Sequence, residues 1–180
     1  ADYFVVNVSC PNSQGFEELQ NKAAMADIFG ELVDAGASPL LVKLSPDLPE
    51  PAAADALEIV DEFDLDGVVA TNTSTERPAS LRSPNRSEEG GLSGTPIESR
   101  ATEMVRFAAE RVDVPVVGVG GVSSAEGAYR KIRAGASLVQ LYTGLIYEGP
   151  SVARDINREL LELLERDGFD SVEDAVGADL

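Results

Sequence analysis

The sequence predicts an α/β fold built on a parallel sheet, the C-terminal part of a (β/α)8 barrel, and three observations lead there. Short apolar, β-branched runs alternate with longer segments of helical period along the whole chain, the order that selects a parallel sheet with helical crossovers. Every such run ends in glycine or polar residues: Asn7 to Asn12, Lys43, Thr71 to Thr73, Gly118 to Gly121, and Tyr142 with Thr143. The strand ends of one parallel barrel all face one cavity. Finally, the chain has 180 residues and opens on Ala-Asp-Tyr without an initiator Met, whereas an eight-stranded barrel needs about 250. The expectation is the C-terminal part of a larger barrel, with residues 1–180 belonging to one domain and an N-terminal part absent.

The stretch from Val114 to Gly144 reads as a complete strand, helix and strand unit. Val114 to Val119 is a run of the kind buried on both faces of a parallel sheet. Gly118, Gly120 and Gly121 leave the backbone bare where it ends, so an anion can come close to main-chain N–H groups. Ser123 with Glu126 three residues later reads as a capping box; Ala128, Tyr129 and Ile132 share a face, and Gly135 supplies the stop. A second strand, Ser137 to Tyr142, leads to Thr143 and Gly144. Loops after the last two strands of such barrels often grip a phosphate, so a phosphate clamp is expected. A glycine-rich strand end taken alone serves equally as a tight turn.

The remaining elements follow the same alternation. Tyr3 to Val8 is a strand that runs into Ser9-Cys10-Pro11-Asn12, and Met25, Ile28, Phe29, Leu32 and Val33 mark a helix from about Glu17 to Ala35, stopped by Gly36. Pro39 to Leu44 is a strand, Glu50 to Phe63 has helical spacing, and Gly67 to Ala70 is a buried strand. Ser74 to Gly91 has neither period and carries Pro78 and Pro84, so it reads as a long rim loop, a lid or binding loop. Ile97, Ala101, Met104, Val105 and Ala108 mark the next helix. Pro150 starts another, with Val152, Ile156, Leu160, Leu163 and Leu164 on its buried side, and the acidic segment after Gly168 is a last helical turn or a frayed end.

Composition excludes several classes of function. A formal charge of −18, with three lysines and eleven arginines, opposes binding to nucleic acid or to an anionic membrane surface. Acids spread over helix faces suggest a solvated surface and an adaptation to high salt, which screens self-repulsion. Histidine is absent and Cys10 is the single cysteine. No intrachain disulfide, cysteine-held metal or histidine-based triad is therefore possible within these residues, and no metal is expected. There is no signal peptide and no run of eighteen apolar residues.

Two side chains stand out chemically. Lys43 lies inside the apolar run Leu40-Leu41-Val42-Lys43-Leu44; a lysine there is costly unless it serves a site, the alternative being one that snorkels to the surface. Cys10 alone is more often a small buried hydrophobe, but beside Asn7, Asn12 and Pro11 in a rim loop a reactive thiol is the better reading. Asn72, between Thr71 and Thr73, fits a ligand or the loop backbone.

The segments Asn7-Val8-Ser9-Cys10-Pro11-Asn12, Val42-Lys43-Leu44-Ser45-Pro46-Asp47, Thr71-Asn72-Thr73, Gly90-Gly91-Leu92-Ser93-Gly94, Gly118-Val119-Gly120-Gly121 and Tyr142-Thr143-Gly144 resemble, in order, those of the dihydroorotate dehydrogenases. The resemblance spans nearly the whole chain. It implies FMN over the mouth of a (β/α)8 barrel of which this chain supplies about strands four to eight, with Gly94, Gly121, Tyr142 and Thr143 on its phosphate and Lys43 and Thr71 along the flavin. By the same resemblance Asn7 touches flavin and substrate, Asn12, Asn72 and Thr73 bind orotate, and Cys10 is the general base that takes the C5 proton while hydride leaves C6. The pattern is closest to the quinone-linked class (class 2), which usually has serine where this chain has Cys10; the soluble classes use cysteine. The implied partners are dihydroorotate and orotate, with quinone as electron acceptor. The implied location is the cytoplasmic side, peripheral to a membrane through an extension preceding Ala1, or soluble in the cytoplasm. Family residues from earlier strands, including a second lysine, lie outside these residues, so the chain by itself should not turn over. The other readings are a soluble class 1 enzyme using fumarate or NAD, a related pyrimidine-reducing flavoenzyme, and, from a different class, a phosphate-binding barrel lyase or isomerase.

Overall fold

A computed structural model describes residues 1–8 and 21–180; Cys10 and Asn12 lie outside the described residues. Among the described residues, five strands, β1 (Phe4–Asn7), β2 (Leu40–Leu44), β3 (Gly67–Ala70), β4 (Val116–Val119) and β5 (Ala136–Gln140), form one sheet. Their spatial order follows the chain, β1-β2-β3-β4-β5, and every neighbouring pair is parallel. Consecutive parallel strands need crossovers, which are α1 (Lys22–Asp34), α2 (Glu50–Glu62), α3 (Glu98–Ala109) and α4 (Ala125–Arg133). A 3-10 turn, Thr95–Ile97, precedes α3, and α5 (Thr143–Glu148), α6 (Val152–Asp167) and α7 (Val172–Ala175) follow β5.

Strand alternation divides the core into two faces. Leu40, Val42 and Leu44, then Val68 and Ala70, then Val116 and Ala136, pack with Met25 and Phe29 of α1, Ile59 and Val60 of α2, and Met104 and Val105 of α3. Phe29 and Met25 are fully buried there, and side chains of that kind contribute about 1.5–3 kcal/mol each. The intervening residues Leu41, Val69 and Val117 form a separate small cluster on the opposite face, with Val119 against it. The outermost strands expose Phe4 and Val5 of β1 and Leu138 of β5.

Local chemistry sets the element ends. Asn21 Oδ1 accepts from Ala24 N at 2.9 Å to start α1, and Gly36 ends its turn at φ 77°. Gly168 stops α6 in the left-handed region. The expected strand Val114 to Val119 begins two residues later, and Ser137 to Tyr142 shifts to Ala136–Gln140. The expected capping box at Ser123 is also displaced by one residue. Ser124, extended at φ −141° and ψ 167°, is the cap and accepts from Gly127 N at 3.2 Å. The positive-φ turn at Gly120 and Gly121 consumes extra chain before the helix can begin, which frees Ser123 for the rim. Helix α5 has no counterpart in the sequence reading. The segment after Gly168 does contain a helical turn, α7. Among the described residues, no helix is long and apolar enough to cross a membrane.

A second core joins α4 to α6 through Tyr129, Ile132, Ile156, Leu160 and Leu164, and a polar knot closes its end. Asp167 accepts from Arg166 Nε at 2.8 Å, from the Tyr129 hydroxyl at 3.0 Å and from Arg133 Nη1 at 3.0 Å. Arg166 foremost, then Tyr129, hold the Asp167 carboxyl at a pKa of about 2 against an ordinary 3.8. The folded state therefore binds fewer protons than the unfolded state between those values, so this contribution is present above pH 3.8 and fades as pH falls through 2. Asp167→Asn should lower the melting temperature of the full-length protein by roughly a few degrees at pH 7, and the gap from wild type should close toward pH 2. A gap that stays constant down to pH 2 would remove the carboxylate from this role.

Candidate active site at the strand ends

Because all five strands run the same way, their C-terminal ends share one rim. On the face opposite the helices, Asn7 of β1 stands in register with Lys43 of β2, and Lys43 with Val69 of β3. Just beyond β3, Asn72 Nδ2 donates to Asn7 Oδ1 at 3.3 Å, and Asn72 Oδ1 accepts from Thr73 N at 2.9 Å. Thr71, 2 % exposed, donates through Oγ1 to the Asn72 carbonyl at 2.9 Å. Asn7, Lys43, Thr71, Asn72 and Thr73 thus form one amide- and hydroxyl-lined patch that carries the Lys43 cation. Lys43 is half-buried, and desolvation pushes its ammonium below the ordinary lysine pKa.

A second group lies beside it, over β4 and β5. A cavity of about 530 Å³ is lined by Gly91, Ser93, Gly94 and Thr95 from one loop, Gly121 and Ser123 from the next, and Thr143, Gly144 and Tyr147 from α5. Here the backbone itself is the wall. Gly121 has φ 78°, and a Cβ on it would fall 2.6 Å from Glu98 Cα and 2.9 Å from Glu98 N, at the first turn of α3. A Cβ on Gly94, φ 80°, would meet Thr143 Cγ2 at 3.1 Å, and one on Gly144 would strike the Val122 carbonyl. Thr143 Oγ1 donates to Ser93 Oγ at 2.8 Å, tying two of the three loops together. Gly94, Gly121 and Thr143 are therefore brought to one cavity. Tyr142 is not among its lining residues; its side chain is 79 % exposed and its backbone precedes α5. Thr71 connects the two groups, since a Cβ on Gly120 would lie 3.6 Å from Thr71 Oγ1.

This cradle suits a phosphate monoester. Close-packed glycine backbones admit an anion that side chains would exclude, and the lining supplies hydroxyl donors from Ser93, Ser123 and Thr143, with Glu148 its one carboxylate among the described residues.

Two residues of the site had no role assigned from sequence. Asp47, after β2, accepts from Ser74 Oγ at 2.5 Å, Thr75 N at 2.6 Å and Thr75 Oγ1 at 2.9 Å, and so fixes the root of the long loop. Arg77 braces that loop from within, donating to the carbonyls of Thr75 at 3.0 Å, Glu88 at 2.8 Å and Gly90 at 2.7 Å. Ser74 and Leu92 close the loop with a two-bond antiparallel bridge of 3.0 and 2.7 Å. Asp47 was visible in sequence as a polar residue after a strand, as was Ser93 in its glycine run; Arg77, which serves only backbone carbonyls, left no signal.

The family described as dihydroorotate dehydrogenase matches residues 1–164. Dihydroorotate dehydrogenase (quinone) of Haloarcula marismortui is 80% identical over 179 residues, covering 99% of this chain and 51% of the relative. The protein of the same name from Halobacterium salinarum is 68% identical with the same coverage. Among solved structures, DHODH from Eimeria tenella in complex with ferulenol superposes with a TM-score of 0.96 at 35% identity, covering 99% of this chain and 54% of that one. The chain spans about half the length of the curated relatives it matches. With its parallel half-barrel and the rim it carries, the chain belongs to the dihydroorotate dehydrogenase family.

Proposed function

We propose that this chain carries the flavin-holding half of an FMN-dependent dihydroorotate dehydrogenase that makes orotate for pyrimidine synthesis and passes electrons to a quinone. The single observation that carries the reading is the adjacency, on one rim, of a backbone-walled cradle for a phosphate and an Asn7-Lys43-Asn72 patch for a planar, polar ring. The quinone is supported by the names of the relatives. Phe4, Val5 and Leu138, exposed on the edge strands, are what further strands and helices of a complete barrel would cover, in keeping with one domain that extends beyond residues 1–180.

Gly94, Gly121 and Thr143 would hold the FMN phosphate through backbone N–H groups and the Thr143 hydroxyl, with the backbone of Tyr142 leading into that turn. Thr71 and Lys43 would lie along the ring, where an ammonium in a half-buried setting stabilises negative charge far better than one in water. When bound, FMN supplies the acceptor for the hydride that leaves C6 of dihydroorotate. Asn7, Asn12, Asn72 and Thr73 would orient the substrate by hydrogen bonds to its ring and carboxylate, which fixes the C5–H bond toward the base. Cys10 would take that proton; a thiol of pKa about 8.5 is closer to working pH than any hydroxyl, so it removes a carbon-bound proton with less penalty. The long loop rooted on Asp47 would keep water from the reacting atoms.

Purified full-length protein should be yellow, with flavin bands that bleach anaerobically on addition of dihydroorotate and recover with a quinone but not with fumarate or NAD. A protein that stays colourless after incubation with FMN contradicts the reading. Cys10→Ala should keep its flavin and lose about 10²-fold or more of the reduction rate, with Cys10→Ser in between; a Cys10→Ala rate equal to wild type removes the cysteine from the chemistry. Gly121→Ala, which sets a methyl against the α3 backbone, should weaken FMN binding by at least about tenfold, equivalent to about 1.4 kcal/mol. Fluorescence titration measures this, and unchanged affinity would show that the cradle does not hold the cofactor.

A further inference from the structure

Beneath the cradle lies a charged side chain that nothing above uses. Lys131 of α4 is 0 % exposed. Its stem crosses the bare backbone of β4: a Cβ on Gly118 would fall 3.2 Å from Lys131 Cδ and 3.0 Å from Ala136 Cβ. Its Nζ donates to Thr102 Oγ1 of α3 at 3.0 Å, and Thr102 Oγ1 donates in turn to the Glu98 carbonyl at 2.8 Å. Glu98 opens α3, and its Cα and N form the wall against which Gly121 lies. The Glu98 carboxylate is held from α4 as well, by Arg130 Nε at 3.1 Å. An unbroken path of two hydrogen bonds and one backbone contact thus runs from a buried amine to a glycine of the cradle.

Packing alone does not call for an amine here. Burial lowers the Lys131 pKa to about 8, with Glu98 of α3 opposing the shift and Arg130 of α4 adding to it; β4 and β5 face the side chain with the uncharged Gly118 and Ala136. Holding an ammonium in that place costs stability that a methionine of similar length would not. What methionine lacks is the donor that reaches Thr102.

We propose that Lys131 is a positioning residue for the phosphate grip: through Thr102 it fixes the first turn of α3, and that turn sets where the Gly121 backbone meets the phosphate. This rests on the FMN reading above. Its distinguishing signature is selectivity, because FMN carries the phosphate and riboflavin does not. In the full-length protein stripped of flavin, Lys131→Met and Thr102→Val should each weaken FMN by roughly tenfold while leaving riboflavin affinity within about twofold, the tenfold loss corresponding to about 1.4 kcal/mol. Thr102→Ser, which keeps the hydroxyl, should bind FMN like wild type. Lys131→Met should melt at or above the wild-type temperature at pH 7, whereas a merely structural lysine would melt lower and lose both ligands together. Should Lys131→Met fail to fold, a structural role is indicated and the proposal falls unless Thr102→Val shows the selective loss and Thr102→Ser the rescue. Wild type that takes up no FMN overturns function and inference together; wild type that binds FMN alongside variants of unchanged FMN affinity, or of equal loss for both ligands, overturns this inference alone.

Discussion

The rim is organised around a contact that leaves no room for a side chain, the backbone of Gly121 against the first turn of α3. Two glycines at positive φ, Gly120 and Gly121, let the chain leave β4, touch α3 and still enter α4 within a few residues. Everything that meets there is held from several directions. Glu98 is gripped by Arg130 of α4, α3 is anchored at the opposite side by Arg100, which donates to the carbonyls of Pro46 at 2.8 Å and Leu48 at 3.1 Å, and Thr143 reaches across to Ser93. A ligand entering this cradle meets main-chain groups already fixed in place, so little ordering remains to be done on binding.

Parallel register supplies the second half of the arrangement. Had β1 slipped by one residue against β2, Asn7 would face the helices and Lys43 would have Val6 or Val8 as its neighbour. The helix-facing positions Val6, Leu40, Val42 and Leu44 all pack in the main core, so burial of those side chains locks the register that places the polar ones on the rim. Stability and site geometry are therefore set by the same alternation.

Much of this was legible in the amino-acid order, and for physical reasons. Gly67–Ala70 was located to the residue because a short apolar run between an acidic turn and a Thr-Asn-Thr segment has no other use. Lys43 in its apolar run proved to be half-buried on the rim-bearing face. The capping serine was misplaced by one because Ser123 and Ser124 are equivalent in sequence and only the turn before them decides. Helix α5 was missed because six residues make less than two turns, and Ile146 and Tyr147 within it are exposed rather than periodic and buried. Asp47 and Arg77 were assigned no role because their partners are loop backbone groups and a loop serine and threonine, which no spacing in the sequence announces.

The central claim is that the backbone at Gly94, Gly121 and Thr143 closes on a phosphate. The phosphorus-31 resonance of FMN bound to the full-length protein tests it most directly, because a free phosphate monoester titrates near pH 6. The account predicts a shifted line that does not move with pH between about 5 and 8, held as the dianion by N–H and hydroxyl donors. A bound line that titrates as free FMN does would mean that the phosphate lies in solvent, and the cradle would need another purpose.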